Sequence, residues 1–423
     1  MMPDRSQLIF AACCLLLVSL VYSPFLLSVS MILLMILSLI DWKVGEGMSL
    51  NPLMLSSFQR IRRQPSFLVI PLFFIVVLLS FWQTENWAYW LERLRIKLPF
   101  LLLPFVFLAL PRFKDRQLQG LFYVLMIMLT LTGIGTVTNY WFNMEEIQKN
   151  LRQGHSMPTP RNHLRLSLLL AYGIIAGVYL YWKDFYWRYR LERKLILGMV
   201  LFLLFFLHFL SVKTGLLTFY AAVFVLLIRY LYLSGNYWRG GLILLSMCLL
   251  PYLAYRTVPS LNAKIGYTLH DLDMYFQGKG VAYADSGRLI SLAVGWDIFK
   301  RHPFFGVGAG NLRTEVHRIF EAEYPNHPAP IEPHNEFLFV LAGTGLFGFG
   351  LFCLAFFYPL WHRRYYRQGL FLAFYVIMFI WNMIEHGLES SVGVALFIFF
   401  VLLWLNVLHD EEGIALPKTK TIW

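Results

Sequence analysis

Charged residues are scarce in this sequence. Asp, Glu, Lys and Arg account for 14% of its 423 residues, whereas roughly a quarter of the residues of a typical soluble domain are charged. Hydrophobic residues account for 58%, and apolar runs of about 17 to 25 residues, long enough to cross a bilayer, recur along the whole chain. These proportions exclude a soluble globular protein. They predict an all-α polytopic membrane protein without a separate soluble domain.

Features of several other protein classes are also missing. The four cysteines (Cys13, Cys14, Cys248 and Cys353) lie within apolar runs, so we interpret them as small buried residues and expect no disulfide framework. The sequence has no complete phosphate loop and no dinucleotide fingerprint. It also lacks an obvious internal repeat of the kind found in many transporters. We therefore expect no cofactor, and no nucleic-acid partner.

The apolar runs predict twelve transmembrane helices. The predicted spans are 7–23, 25–40, 66–82, 98–110, 118–140, 163–182, 195–211, 214–231, 240–255, 334–360, 369–384 and 391–408. The first contains a segment ending at Cys13 that resembles a lipoprotein signal, but the apolar run continues well beyond it and favours an ordinary first helix. The predicted organisation is nine helices in residues 1–255, a large loop with short amphipathic helices in 256–333, and three helices with a short cytoplasmic tail in 334–423.

Basic residues in the short loops predict how the chain is oriented. The clusters at 60–63, 112–116, 183–194 and 363–367 all fall on one side of the predicted spans. Short loops rich in Lys and Arg stay in the cytoplasm, whereas long loops are translocated regardless of charge. Both termini are therefore expected in the cytoplasm. The loop 256–333 is expected on the opposite side, which in a Gram-negative cell is the periplasm.

A polar block at residues 285–346 contains the strongest candidate for a reacting group. Polar residues are costly beside a bilayer, so a dense polar block flanked by spanning helices is expected to be functional. Within it, His334 and Asn335 follow Pro333 at the predicted start of a spanning helix, where free backbone N–H groups attract anions. His334 is a candidate general base, and a histidine that simply caps the helix at the interface is the alternative.

Cations lie at predicted helix ends on the same side of the membrane. Arg288 begins an amphipathic stretch, 288–301, that we expect to lie on the outer leaflet. Its guanidinium either binds a phosphate through two N–H groups or extends to lipid headgroups. The other members of the group are Lys213, Arg161, Arg165 and the nearby His163. Each alone is a common interfacial anchor. Together they predict an anion site that one diphosphate group would fill.

Two acidic segments have open interpretations. Asp271 and Asp273 match a D-x-D pattern that binds divalent metals in many sugar-transferring enzymes, but the triplet is common by chance and lacks an evident third ligand, so no metal site is predicted. Glu385, His386 and Glu389 lie in a short loop on the same side as the polar block. They form either a second acid–base group or, as we favour, a solvated turn.

The polar block resembles the signature of the O-antigen ligase and polymerase superfamily. That signature is an arginine followed by H-P-x-x-G-V-G-x-G-N, a linker, and H-N-E-x-L-x-x-L-x-x-x-G-x-x-G. The matching positions here are Arg288, His302, Pro303, 306–311, 334–336, Leu338, Leu341, Gly345 and Gly348.

The resemblance implies a membrane glycosyltransferase of the GT-C type with an undecaprenyl-diphosphate-linked glycan as donor. Members of the family hold the diphosphate with periplasmic arginines and use the histidine of the H-N pair at the reacting centre. The corresponding positions are Arg288 and His334, with Asn335 beside the substrate. A further family arginine falls on Lys213, which cannot form the same planar two-bond contact, and Arg161 resembles the family's cation before the middle helix.

Among the members of this superfamily, the lipopolysaccharide O-antigen ligase is the expected function. Twelve spans with the large loop before the last three fit it, and protein-modifying members tend to carry an extra C-terminal domain. The expected reaction is an inverting, metal-independent transfer of the glycan to a sugar hydroxyl of lipid A–core, at the periplasmic face of the bacterial inner membrane. The alternatives are an O-antigen or exopolysaccharide polymerase and, in a different class, a lipid-linked oligosaccharide transporter. A transporter should carry ionisable groups near the midplane of its helices.

Overall fold

The computed structural model describes residues 4–43, 47–153, 155–277, 284–325 and 327–408. The predicted cytoplasmic tail after the last helix, 409–423, lies outside these residues. The protein is all-α apart from one short hairpin, as predicted from its composition.

The first nine helices are α1 (Arg5–Tyr22), α2 (Pro24–Leu39), α3 (Pro52–Arg62), α4 (Pro65–Leu68), α5 (Leu72–Leu79), α6 (Trp87–Ala109), α7 (Asp115–Phe142), α8 (Met144–Arg152) and α9 (His163–Trp182). The other nine are α10 (Leu191–Leu210), α11 (Lys213–Ser234), α12 (Tyr237–Thr257), α13 (Pro259–Phe276), α14 (Ala284–Arg301), α15 (Leu312–Glu323), α16 (Glu336–Trp361), α17 (Gly369–Ile384) and α18 (Ser391–Leu408). The strands β1 (Ile40–Lys43) and β2 (Gly47–Leu50) pair antiparallel and follow α2.

Most of the predicted spans correspond to helices of transmembrane length. Within the described residues, nine helical segments are long and apolar enough to cross a membrane, and α2 and α17 are shorter apolar helices. The predicted span 66–82 is occupied by α4, α5 and a 3-10 segment (Ser80–Gln83). The structure is therefore that of a polytopic membrane protein, as predicted.

Helix α6 differs most from its predicted span. The sequence predicted a short span over 98–110, whereas α6 begins at Trp87. Its first part contains several charged residues, which made this part look like a loop. Two of them, Arg93 and Lys97, are one helical turn apart and are buried inside the protein, so they belong to the helix bundle.

The centre of the bundle is formed by α9 and α18. In the transmembrane window of α18, 94% of the residues are buried, and in that of α9 78% are buried. Aromatic side chains fill the space between the central helices. Phe397 of α18 is stacked on Phe356 of α16, with ring centroids 5.3 Å apart, and meets Phe73 of α5 edge-on at 5.7 Å. Such close aromatic packing fixes the relative positions of α5, α16 and α18.

A second, smaller core joins α14 and α15 to the beginning of α16. Ile290, Val294 and Ile298 recur every four residues on one face of α14 and pack with Val316 of α15 and Phe339 of α16. This confirms the helix predicted for 288–301. The core places the start of α14, where Arg288 lies, against the start of α16. We call this end of the bundle the site end.

Two glycines allow the signature segments to dock on each other. Helix α16 is interrupted at Gly345, which has a φ of 63°. The freed carbonyl groups of Ala342 and Gly343 accept hydrogen bonds from the backbone N–H groups of Val307 and Gly308. A Cβ atom at Gly345 would lie 2.3 Å from the backbone carbon of Phe304. Gly306, with a φ of 67°, has as little room, because a Cβ there would lie 2.4 Å from the backbone nitrogen of Thr344. Both glycines are therefore needed for close backbone approach as well as for a left-handed conformation.

Candidate active site

His334 lies in a chain of three charged or polar groups at the site end. Its Nδ1 atom is 2.9 Å from Oε2 of Glu385, and Nη2 of Arg288 is 2.5 Å from Oε1 of the same carboxylate. One carboxylate therefore connects the general base and the phosphate-binding arginine that the sequence predicted. The side chains of His334 and Arg288 remain partly exposed, at 23% and 29%, whereas that of Glu385 is only 12% exposed.

The backbone around His334 is held by two polar side chains. Its N–H donates to Oγ of Ser291, 3.1 Å away, and that hydroxyl donates to the carbonyl of Arg288 on α14. Asn335 is the N-cap of α16, because its Oδ1 accepts from the N–H of Leu338. Its Nδ2 donates to the carbonyl of Met383, near the end of α17. The predicted helix start at 334 is thus two residues early, and Asn335 is seen here in a structural contact.

The acidic loop after α17 is buried, which contradicts the interpretation of this segment as a solvated turn. Glu385 is 9% exposed and Glu389 is 7% exposed. Burial raises the pKa of Glu385, but the hydrogen bond from His334 and the charge of Arg288 lower it by more, so its pKa lies below the ordinary value. Glu385 is therefore ionised at neutral pH.

Ionised Glu385 determines which tautomer His334 adopts. A carboxylate can only accept hydrogen bonds, so the close contact requires the hydrogen to be on Nδ1. The lone pair of the neutral imidazole is then on Nε2, the nitrogen that faces away from Glu385. A carboxylate on Nδ1 also stabilises the positive charge that develops if Nε2 takes a proton.

His386 packs beside His334 without sharing its carboxylate. The two rings meet edge-on with centroids 5.0 Å apart, and the other neighbour of His386 is Phe339, on which it stacks at 5.7 Å. Burial, and the charge of His334 when protonated, lower the pKa of His386. His386 is therefore neutral at pH 7 and forms part of the wall of the site.

Lys213 and His163 lie at the starts of two other helices. Lys213 is the first residue of α11, and a tight turn with a left-handed residue, Ser211, precedes it. Its Nζ donates to Oγ1 of Thr268 on α13, 2.9 Å away. His163 begins α9, and its ring Nε2 is 3.0 Å from Oγ of Ser156. The charges of Lys264, Glu385 and Arg288 all act on His163, which places it on the same side as the His334 group.

Arg161 and Arg165 are placed differently from the other predicted cations. They line a small pocket between the start of α9 and the end of α1, whose lining includes Leu20 and Val21. In the described part of the chain, neither arginine shares a hydrogen bond or an ion pair with Arg288, His334 or Glu385. The structure thus joins Arg288 and His334 through one carboxylate, and it places Arg161 and Arg165 in the lining of this small pocket.

Asp271 and Asp273 point in different directions on α13. Asp271 is fully buried, whereas Asp273 is exposed and accepts a hydrogen bond from Gln277. Residues two apart on a helix do not face each other, so the triplet does not form a chelating pair. Across the described ranges, no group of three or more His, Cys, Asp and Glu side chains is arranged to hold a metal ion.

Sequence reasoning missed Arg93 and Lys97 and left the role of Glu385 open. Glu385 was left open because nothing local indicates which residue it contacts. Arg93 and Lys97 were assigned to a loop, although their spacing of four places them on one helical face. Two cations at a spacing of four, directly before an apolar run, fit one face of a longer helix, and this signal in α6 could have identified them.

Comparison with known protein families is decisive for the segment that contains most of these residues. Residues 165–353 match the family model described as O-antigen ligase. This segment is therefore similar to the O-antigen ligase family. The match confirms the resemblance to the O-antigen ligase and polymerase superfamily. It includes Lys213, Arg288, His334 and Asn335, and it ends before Glu385. No curated protein matched the chain.

Proposed function

We propose that this protein is an O-antigen ligase, a membrane glycosyltransferase that moves a glycan from undecaprenyl diphosphate to a sugar hydroxyl of lipid A–core. The observation that carries the proposal is the contact of His334 with ionised Glu385, with Arg288 on the same carboxylate. This arrangement places a base, whose Nε2 faces away from Glu385, and a cation that can bind phosphate at one site. The match of residues 165–353 to the O-antigen ligase family supports the same reaction class.

In the proposed reaction, Nε2 of His334 takes the proton of the acceptor hydroxyl as its oxygen attacks the anomeric carbon of the donor sugar. The bond between that carbon and the diphosphate oxygen breaks, and the diphosphate leaves with the electron pair. Direct attack from the opposite face inverts the anomeric centre. Glu385 stabilises the imidazolium that results, and a base placed in this way typically contributes about 10²- to 10⁴-fold to a rate.

The leaving group is a diphosphate, so the step is favoured by cations that gather its developing charge. Nη2 of Arg288 donates to Glu385 in this structure. A guanidinium carries several N–H groups in a planar fork, which matches two phosphate oxygens at once. Lys213 is proposed as a second phosphate ligand from the end of α11. His163, Arg161 and Arg165 are proposed to bind more distant parts of the two lipid substrates.

The proposed location is the bacterial inner membrane with the site end facing the periplasm. The test is thiol labelling in a cysteine-free background. A cysteine at the exposed Ala322 of α15 should react with a membrane-impermeant reagent in intact spheroplasts, and one at the exposed Ser234 of α11 should not. The reverse pattern contradicts the orientation and the periplasmic reaction with it.

Deleting the gene separates the ligase from its alternatives. Loss of a ligase leaves completed polymer on the lipid carrier, whereas loss of a polymerase leaves single repeat units on it. If neither the polymer nor single repeat units accumulate, both the ligase and the polymerase are contradicted. A transporter is disfavoured because the buried charges of the bundle include Glu336, the first residue of α16, and Glu389, just before α18. They are therefore at the site end and not at mid-membrane.

A further inference from the structure

Four charged side chains are buried together directly beneath the His334 site. Arg93 and Lys97 from α6 meet Glu336 from α16 and Glu389 from the 3-10 segment Gly387–Glu389. The distances are 2.5 Å from Lys97 Nζ to Glu389 Oε1, 3.5 Å from Lys97 Nζ to Glu336 Oε1, and 3.3 Å from Arg93 Nη1 to Glu389 Oε2. All four are at most 7% exposed, and their formal charges cancel. We call them the buried ion cluster.

Each carboxylate of the buried ion cluster belongs to a segment that carries a residue of the site. Glu336 follows His334 by two positions, and Glu389 follows Glu385 by four. The two segments are also joined directly, because the N–H of Leu388 donates to Oε2 of Glu336, 3.0 Å away. Holding these two carboxylates therefore fixes the two backbone segments that bring His334 and Glu385 together.

The cations of α6 hold the backbone of the acidic loop as well as its side chains. Lys97 Nζ donates to the carbonyl of Leu388 at 2.9 Å, and Arg93 Nη1 donates to the carbonyl of Glu389 at 3.0 Å. Burial raises the pKa of Glu389, but the charges of Lys97 and Arg93 outweigh it and its pKa lies below the ordinary value. The acidic loop is thus held by charged hydrogen bonds, which are stronger than neutral ones.

A third contact extends the same arrangement to the segment before His334. The Tyr89 hydroxyl, one turn before Arg93 on α6, donates to Oε1 of Glu332, 3.1 Å away. Arg313 of α15 donates to the same oxygen and lies over the Tyr89 ring, 4.2 Å from its centroid. Helix α6 therefore contacts the chain on both sides of His334 and beside Glu385.

The energetics argue against stability as the reason for the buried ion cluster. Taking charges out of water costs several kcal/mol for each ion, and replacing a buried pair with apolar residues is often neutral or stabilising. A well-packed apolar group would hold the helices together equally well. What charged groups add is direction, because each donor must point at its acceptor.

We propose that Arg93 and Lys97 are positioning residues, which set the distance and angle between His334 and Glu385 through Glu336 and Glu389. This inference rests on the proposed function. A catalytic group that moves by about 1 Å loses roughly 10²-fold in rate. Loosening the cluster should therefore lower turnover and leave the binding of the donor unchanged.

The test is a paired substitution, Lys97→Met with Glu336→Gln. The pair removes both partners of the 3.5 Å contact between α6 and α16, and the new amide oxygen can still accept from the N–H of Leu388. The matched control is Arg5→Met with Asp41→Asn, which removes the ion pair of 3.1 Å between α1 and β1 at the other end of the bundle. Both proteins are assayed with purified lipid-linked donor and lipid A–core, and their melting temperatures are measured in detergent.

Turnover of the site variant should fall about 10- to 100-fold, with a donor KM within about twofold of wild type and an undiminished melting temperature. The acid limb of its pH–rate profile should also move to lower pH, because the imidazolium is less well held by Glu385. The control should keep wild-type turnover. Wild-type turnover in the site variant, or an equal loss in the control, overturns the proposal.

A second variant is needed if the doubly substituted protein melts at a lower temperature than wild type. Glu336→Gln alone keeps both cations of α6 and the acceptor for Leu388. It should lower turnover with the donor KM unchanged, and full turnover contradicts the positioning role. Absence of transfer by the wild-type protein in the same assay contradicts the proposed function itself, so the two failures are distinguishable.

Discussion

Nδ1 of His334 lies 2.9 Å from Oε2 of Glu385, although 51 residues separate them in the sequence. The contact makes Glu385 the partner of the candidate base and leaves Nε2 of His334 facing away from this carboxylate. It also places the acidic loop after α17 inside the site.

Replacing Glu385 with Gln should lower turnover about 10- to 100-fold, because the amide can still contact Nδ1 but no longer stabilises the imidazolium with a charge. Donor KM should change little. The control is Glu315→Gln, which removes the carboxylate of an ion pair with the exposed Arg318 on α15 and should leave turnover unchanged. Wild-type turnover in Glu385→Gln contradicts the role of this carboxylate.

The pH dependence of the same variant distinguishes the two titrating groups. In the folded protein the pKa of Glu385 lies below its ordinary value of 4.5. The ionised carboxylate therefore contributes fully to turnover above pH 4.5, and this contribution is lost only as the pH falls through the folded pKa. A fall in wild-type turnover between about pH 8 and 5 therefore reports protonation of an imidazole. This acid limb should persist in Glu385→Gln and move to lower pH, because the imidazolium loses the charge that stabilises it. Its disappearance would assign the limb to the carboxylate and contradict this account.

Arg288→Lys should lose nearly as much activity as Arg288→Ala. A lysine keeps the charge but cannot bind two phosphate oxygens with a planar group. The control is Arg301→Lys at the other end of α14, where Arg301 is paired with Asp297 one turn away. Single-turnover assays with saturating and limiting donor measure the effect. Full activity of Arg288→Lys, with donor binding unchanged, would reduce Arg288 to a headgroup anchor.

Transfer should be independent of divalent metals, because cations of the protein take the place that a metal has in other glycosyltransferases. Activity of the purified protein should survive excess EDTA. The exposed Asp273 can be changed to Asn without disturbing the core, and this variant should remain active. Activity that EDTA removes and Mg²⁺ or Mn²⁺ restores contradicts the metal-free mechanism.

Gly345→Ala should destabilise the protein, because φ at this position is 63° and the added Cβ would overlap the backbone of Phe304. A strained conformation of this kind costs about 1–3 kcal/mol, before the overlap is counted. A methyl group added at Gly350 in the same helix would meet open space. Gly350→Ala is therefore expected to be neutral or slightly stabilising. Equal melting temperatures for the two variants would contradict the docking of the signature segments.

Features that depend on local sequence were predicted well. Each predicted span overlaps helix, and α14 is present. These features follow from hydrophobic periodicity and from the positions of prolines and glycines, which act over a few residues. The same reasoning identified Arg288 and His334, which the structure brings to one carboxylate.

Features that depend on distant partners were missed. Arg93 looked like a loop residue because its carboxylate partner, Glu389, is 296 positions away. Glu385 looked solvated for the same reason, since its burial depends on α14 and on the segment before α16. Lys97 is separated from Glu336 by 239 positions. A hydropathy scale counts each charged residue separately as unfavourable in a membrane. In the folded protein these residues form ion pairs with one another.

The most direct test of the central claim is His334→Ala in a reconstituted assay with purified lipid-linked donor and lipid A–core. The control is His317→Ala, an exposed histidine on α15, and donor affinity is measured separately for each protein. Loss of a positioned base should lower turnover of His334→Ala by about 10²- to 10⁴-fold, with donor affinity and the control unchanged. Turnover close to wild type, or a loss of donor affinity that accounts for the whole defect, would contradict the role of His334 as the base.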